Sequence, residues 1–354
     1  MKNVNRLNVF LFIIQFKPLF DIQTLKKYDS QGMHEIYDKW PEIARESYNY
    51  NHKEAGYIGI DHIVFAGMGG SGAIGDIFSS ILSKENIHVS LVKGYLLPKT
   101  ADSNTLVVTT SISGDTRETL TVLDSAKKLD CKIIAFSSGG KMQEYCIKNH
   151  IEFRKISQMH SPRASFAAFL YTMLRVLDPL FRLEKRDVQE SITQLENLGK
   201  KISSSHLNDE NPSLNLANWI NGIPLIYYPW GLQSAAIRFK NSLQENAKLH
   251  AITEDVIEAC HNGIVSWEKP SNVHPILLRG EEDYVKTKER WEILKEYFKI
   301  NKIDYFEISS IKGNILSKLI NLIYLLDYAS IYKAVLSGID PSPIRSIDYV
   351  KSKL

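Results

Sequence analysis

The sequence predicts two doubly wound, parallel-sheet α/β domains, each a three-layer sandwich of the flavodoxin-like kind. Three observations carry that expectation. Short apolar runs alternate with amphipathic helical stretches along most of the chain. Two strand ends run into turns rich in Gly, Ser and Thr that open helices. The opening of the first half, IVFAGMGGSGAIGDIF, has a weak echo later in LIYYPWGLQSAAIRFK. Strands separated by helices imply βαβ units and a parallel sheet covered on both faces.

The elements follow in order. From Asp29 to Tyr48 the spacing of Ile36, Trp40, Ile43 and Ala44 predicts an amphipathic helix. Asp61–Ala66 reads as a buried strand, and the glycine turn after it leads into a helix through Ile74–Leu82. Ile87–Leu91 and Thr105–Thr110 read as strands, the second running into Ser111–Asp115 and a helix over Thr116–Lys128. Lys132–Phe136 and Ile151–Lys155 complete the first set of strands, and Arg163–Leu198 reads as mostly helical. The polar stretch Lys200–Pro212 is the best linker candidate. Beyond it come a strand at Ile223–Tyr228, a turn at Pro229–Gly231 and a helix over Leu232–Asn246. Then follow a strand at His274–Leu278, a helix over Tyr284–Phe298, a strand at Asp304–Ile308 and a helix over Ser317–Val335. The expected organisation is an extension over 1–29, a first domain over 30–200, a linker over 201–212 and a second domain over 213–354.

At 354 residues the chain can fill two domains, each with its own core. A formal charge of +3, with no basic run interleaved with aromatics, gives no ground for a nucleic-acid partner. Three cysteines, Cys131, Cys146 and Cys260, lack CxxC spacing and fit a reducing cytosol. The apolar run Asn8–Phe16 is far shorter than the ~20 residues a spanning helix needs. It reads as a docked extension, or as residues upstream of the start that biology uses, and no membrane partner is expected.

The two turns, Gly67–Asp76 and Ser111–Thr119, supply what a phosphate needs. A helix N-terminus offers unpaired N–H groups and a positive dipole end. Gly69, Gly70 and Gly72 admit the ligand to the backbone, while Ser71, Ser111, Ser113 and Thr116 add hydroxyls. The run from Gly67 to Gly72 formally fits GxGxxG, but a dinucleotide site also wants an acidic residue ending the next strand, and Val92 and Lys93 stand there. Walker A is excluded by the missing Gly-Lys-Ser/Thr.

GMGGSGAIGD followed by SISGDTRET resembles the SIS, or sugar isomerase, domain. More narrowly it resembles the bifunctional phosphoglucose/phosphomannose isomerases, whose signatures read roughly GMGGSGIxGD and SYSGNTEET. The resemblance runs from about Ser30 to the C-terminus. It implies phosphate binding by Gly70, Ser71, Ser111, Ser113 and Thr116. It implies that Glu245, in KNSLQENAK, carries the proton, since the family pattern there is KNQLxENAK. It implies that His261 takes part in ring opening, that Arg163 in SPRAS steadies the intermediate, and that Lys351 reaches the site. The family carries HNEIxGWE around its histidine. Here Gly263 replaces the glutamate and Ser266 the glycine.

The expected activity is therefore aldose–ketose isomerisation of glucose 6-phosphate, with mannose 6-phosphate as a second substrate, to fructose 6-phosphate through a cis-enediol(ate). The resemblance also implies a homodimer whose sites are shared between subunits, a cytoplasmic place in carbohydrate metabolism, and no cofactor or metal. His150, His160, His206, His250, His261 and His274 form no HxH or HExxH spacing, which disfavours the metal-dependent type of phosphomannose isomerase. The competing reading is a non-catalytic sugar-phosphate sensor, for which Gly263 is the best support.

Overall fold

The computed structural model describes residues 20–181 and 183–353. Asn8–Phe16 lies outside the described residues. The chain opens with three helices, α1 Ile22–Tyr28, α2 Met33–Asp38 and α3 Trp40–Asn49. The single helix expected over 29–48 is thus two, parted at Lys39 just ahead of Pro41. Residues 20–28, assigned from sequence to an extension, dock on the body: Leu25 is fully buried, and Phe20 meets Tyr332 edge-on at 5.3 Å.

A parallel sheet follows, built from β1 His62–Ala66, β2 His88–Val92, β3 Thr105–Ser111, β4 Lys132–Ser137 and β5 Glu152–Lys155 in the order β2-β1-β3-β4-β5. Its helices are α4 Gly69–Leu82, α5 Arg117–Lys128 and α6 Gly140–Lys148. Then come α7 Phe166–Val176, α8 Asp178–Phe181, α9 Lys185–Ile202 and α10 Pro212–Trp219. A second parallel sheet, β7-β6-β8-β9, uses β6 Ile223–Tyr228, β7 Ile252–Asp255, β8 Val273–Arg279 and β9 Phe306–Ser309. It is wound with α11 Gln233–Asn246, α12 Val256–Ala259, α13 Val285–Ile300 and α14 Ile315–Leu336, and α15 Arg345–Lys353 ends the chain. The order of the second sheet repeats the first four positions of the first. The expected fold class of two doubly wound parallel sheets is what the structure has.

The polar stretch expected as a linker begins inside α9, which runs to Ile202. Its far end is anchored by Asn211, which is fully buried. Asn211 caps α10 through the Leu214 N–H and donates to the carbonyls of Ile202 and His206.

Nor does each half keep a separate core. On their outer faces the sheets do have private clusters: Val64 and Val107 against Val122 and Leu123 of α5, and Tyr227 and Leu277 against Trp291 and Phe298 of α13. The inner faces merge into one cluster that runs from Ile63, Phe65 and Val108 through α7 and α14 to Ile226 and Ile276. Trp40 sits at its middle, stacked on Tyr37 at 4.4 Å, Tyr324 at 5.5 Å and Phe166 at 5.9 Å. Such aromatic stacks add to the free energy of burial itself. Among the described residues α14 alone is long and apolar enough to cross a membrane, and most of it is buried in this core.

Candidate active site

Both glycine turns sit at the carboxyl ends of central strands, where ligands of doubly wound sheets bind. The first turn is tighter than its sequence suggests, because α4 starts at Gly69 and the Gly-Gly-Ser-Gly run is its first turn. Gly67 is required there by close approach: a Cβ would lie 3.0 Å from both the Ser71 carbonyl carbon and the Thr110 carbonyl oxygen. Ser71 is buried, and its Oγ accepts from the Ile112 N–H at 3.3 Å, tying the two turns together.

In the second turn the Ser111 hydroxyl donates to Thr116 Oγ1 at 3.0 Å and accepts from the Gly114 N–H at 3.1 Å. The Asp115 N–H donates to Ser113 Oγ at 3.4 Å. Thr116 is the N-cap of α5, yet its side chain caps nothing, so first-turn N–H groups stay available to an anion. Gly114 holds φ at +82°. A Cβ there would stand 1.9 Å from the Gly139 carbonyl oxygen.

Lys93, where a dinucleotide site would want a carboxylate, instead pairs with Asp76 of α4 at 2.6 Å. Burial raises the Asp76 carboxyl above its usual range, and the Lys93 ammonium pulls against that rise.

Across from the turns lies the pair the sequence could not connect. The Arg163 side chain, 5% exposed, donates from Nε to Asn246 Oδ1 at 2.7 Å and from Nη1 to Glu245 Oε2 at 3.3 Å. Its Nη2 donates to the carbonyls of Pro341 and Ser342 at 2.7 and 2.9 Å. One guanidinium thus fixes the end of α11, which carries Glu245, to the segment leading into α15. The arginine's own carbonyl accepts from Arg238 Nη2 at 3.0 Å. Arg238 is clamped to Asp327 of α14 at 2.5 Å, and Ser242 donates to the other carboxylate oxygen at 2.7 Å. Burial opposes the Arg238 charge, but Asp327 outweighs it and holds the guanidinium firmly protonated.

The first glycine turn meets this pair directly: a Cβ on Gly70 would be 3.7 Å from Arg163 Cα. Gly69 and Glu245 both line an open cleft of about 870 Å³, which Lys248, Asp340 and Ser346 also line. Lys248 donates to the Glu245 carbonyl at 2.5 Å. Burial and the Arg163 charge push its ammonium below the usual lysine range, against the pull of Asp340 and Glu245.

Two of the expected site residues stand apart from this cluster. His261 lies just past α12 and is exposed. Its N–H donates to the Glu258 carbonyl at 2.9 Å, and among the described residues its imidazole makes no hydrogen bond or ion pair. Lys351 is helical, on α15, but exposed and likewise unpaired, one turn beyond Ile347 at the cleft wall. Reading the sequence residue by residue missed Asn246, Lys248, Arg238 and Asp327. The first three lie in the stretch RFKNSLQENAK at the end of α11, whose excess of polar residues near buried positions was the available signal.

Comparison with known proteins bears on the same regions. Residues 57–178 match the family model described as the SIS domain, and residues 209–354 match that of the bacterial phospho-glucose isomerase C-terminal SIS domain. A bifunctional phosphoglucose/phosphomannose isomerase of Caldicellulosiruptor bescii is 33% identical over 305 residues, covering 83% of this chain and 90% of that protein. One from Aquifex aeolicus is 29% identical over 325 residues, covering 89% and 94%. Among solved structures, a protein of Thermus thermophilus described as hypothetical superposes with a TM-score of 0.70 at 13% identity, covering 94% of this chain and 92% of that one.

Proposed function

The chain belongs to the bifunctional phosphoglucose/phosphomannose isomerase family, and from that premise we propose how its residues divide the reaction. It is an aldose–ketose isomerase that interconverts glucose 6-phosphate and mannose 6-phosphate with fructose 6-phosphate. The phosphate docks on the backbone at Gly70 and on the hydroxyls of Ser71, Ser111, Ser113 and Thr116, at the open end of α5. Glu245 takes the proton from C2 and returns it to C1 through a cis-enediolate. Arg163 faces the developing negative charge, since a fixed, desolvated guanidinium stabilises charge without reorganising. His261, with Lys351, opens the ring by general acid–base transfer.

The observation that carries this reading is the Arg163–Glu245 contact at 3.3 Å beside a phosphate-suited turn. A base and a charge stabiliser stand together, held by side chains from both halves of the chain. The unpaired imidazole of His261 supports a homodimer in which that histidine completes the neighbouring subunit's site. Three free cysteines support a cytoplasmic enzyme of central carbohydrate metabolism, feeding glycolysis and gluconeogenesis. The domain limits of 30–200 and 213–354 stay part of this proposal, as two units joined through a common core.

Complementation tests the reading. Purified protein should form fructose 6-phosphate from either aldose. Glu245→Gln and His261→Ala should each be inactive, and mixing them under subunit exchange should restore up to about a quarter of native activity, since one of the two mixed sites is intact. Inactivity of the mixture, with exchange verified, overturns the shared site.

A further inference from the structure

The reaction assigned above leaves one proton without a carrier. Glu245 moves hydrogen between C2 and C1, but the aldehyde oxygen O1 must also gain a proton and the C2 hydroxyl must lose one. Arg163 faces the developing charge, yet a guanidinium does not give up protons in a protein. The carrier must be ionisable, must stand at the Glu245 end of the cleft and must have a donor to spare.

Lys248 meets these conditions. It lines the same cleft as Glu245. It stands just past Ala247, the C-cap of α11, with a left-handed backbone at φ +57°, where glycine is the ordinary residue. A long side chain retained in that conformation points to a use for it. The residue as a whole is exposed, but its ammonium folds back over the helix end. It donates to the Glu245 carbonyl at 2.5 Å and to the Pro341 carbonyl at 3.4 Å. Arg163 Nη2 donates to the same Pro341 carbonyl at 2.7 Å, so the two cations share an acceptor beside the base. An ammonium has three N–H donors, and the third is left for a ligand.

The charges around Lys248 are mixed. Burial first and Arg163 second loosen its proton, while Asp340 and Glu245 hold it on. A lysine so placed exchanges protons more readily than a free one, as acid–base catalysis requires. The other ionisable groups lining the cleft are His250, Asp340 and Arg345. Arg345 keeps its proton, and both Asp340 oxygens are engaged, by the Ser342 N–H at 2.8 Å and the Ser30 hydroxyl at 2.8 Å.

We propose that Lys248 carries the proton between O1 and O2 of the bound sugar phosphate, alongside the carbon-to-carbon transfer by Glu245. From the aldose, Glu245 takes the C2 hydrogen, the electron pair moves to O1, and Lys248 gives O1 a proton. The neutral amine then takes the proton of the C2 hydroxyl, the C2–O2 double bond forms, and Glu245 returns hydrogen to C1. Both groups end as they began, and no co-reactant is consumed. The inference rests on the role of Glu245 given above.

Lys248→Arg tests it, because arginine keeps the charge and the donors but cannot release a proton. At an unchanged thermal midpoint, kcat should fall about 100-fold or more. The alkaline limb of the native kcat profile, set below the ordinary lysine value of about 10.4, should disappear. Fructose 6-phosphate kept in D₂O with this variant should still exchange hydrogen at C1, at more than about a tenth of the native rate. Glu245 still works there, but the enediolate returns only the way it came. Lys248→Met should isomerise no faster than Lys248→Arg, and His250→Gln should keep kcat within about threefold of native. A Lys248→Arg enzyme within about threefold of native kcat, its alkaline limb unmoved, makes the lysine a bolt between α11 and residue 341 and overturns the inference. C1 exchange that falls in step with kcat overturns it too, as does the loss appearing in His250→Gln instead. Glu245→Gln measured alongside keeps the two readings separate. If Glu245→Gln exchanges C1 at the native rate, the role of the base fails. If Glu245→Gln is inert while Lys248→Arg is native, only the inference fails.

Discussion

Replacing Arg163 by lysine keeps the charge and removes the fork, which makes it the sharpest probe of how the site is held. The guanidinium makes four hydrogen bonds, to Asn246, Glu245, Pro341 and Ser342, from three nitrogens set at fixed angles. A lysine ammonium is a single point that cannot face acceptors on opposite sides of a planar group. At least two of the four acceptors then lose their donor. Hydrogen bonds from charged groups contribute about 1.5–3 kcal/mol each, so the loss is roughly 3–6 kcal/mol. Native domains hold only about 5–15 kcal/mol in all, so this is a large share. The expected fall in the thermal midpoint is about 4–8 °C, taking roughly 1.3 °C per kcal/mol for a chain of this size. Because the cation moves away from the enediolate, kcat should also drop about 10²–10³-fold. Calorimetry and a coupled assay for fructose 6-phosphate read the two effects. A variant with unchanged midpoint and kcat within about threefold of native would refute the reasoning.

The remaining predictions concern the turns and the first helices. Gly114→Ala forces a Cβ against the Gly139 carbonyl in a left-handed backbone, so a stability loss of about 2–4 kcal/mol and a raised KM are expected in melting curves and kinetics. Asp29 is buried and accepts from the His34 ring at 2.7 Å and from the N–H groups of Met33 and His34. Burial alone would raise its pKa, but those bonds prevail and lower it. A carboxyl group depressed in the fold contributes stability that is present above its unfolded pKa, about 3.9, and lost as pH falls through the lower folded value. Asp29→Asn should therefore cost about 1–3 kcal/mol at neutral pH in urea titrations, and its deficit should shrink towards zero in strong acid. An equal deficit at all pH values would contradict the assignment.

Much of this fold is legible in the strands, because parallel strands buried on both faces must be apolar along their whole length. Thr105–Ser111 and Ile223–Tyr228 stand out for that reason. Strand β7 does not: Ile-Thr-Glu-Asp is an edge strand with one neighbour, and its polar residues carry no alternation long enough to read. The polar stretch after Gly199 reads as a linker because nothing local distinguishes a solvated loop from one pinned by a buried asparagine. The merged core is invisible for a similar reason, since Phe166 and Tyr324, which stack on Trp40, are far from it in sequence.

The site divides along the same line. The two turns are written locally, in glycines and hydroxyls at strand ends. Arg163 and Glu245 are 82 residues apart, and only the packing of α11 against the loop before α7 brings them together.

The central claim is that Glu245 moves the proton, and isomerisation in D₂O tests it most directly. Native enzyme should give fructose 6-phosphate bearing deuterium at C1, seen by NMR. Glu245→Gln should give neither product nor exchange while still binding fructose 6-phosphate within about threefold of native affinity. Turnover with deuterium incorporation by Glu245→Gln at the native rate would contradict the claim.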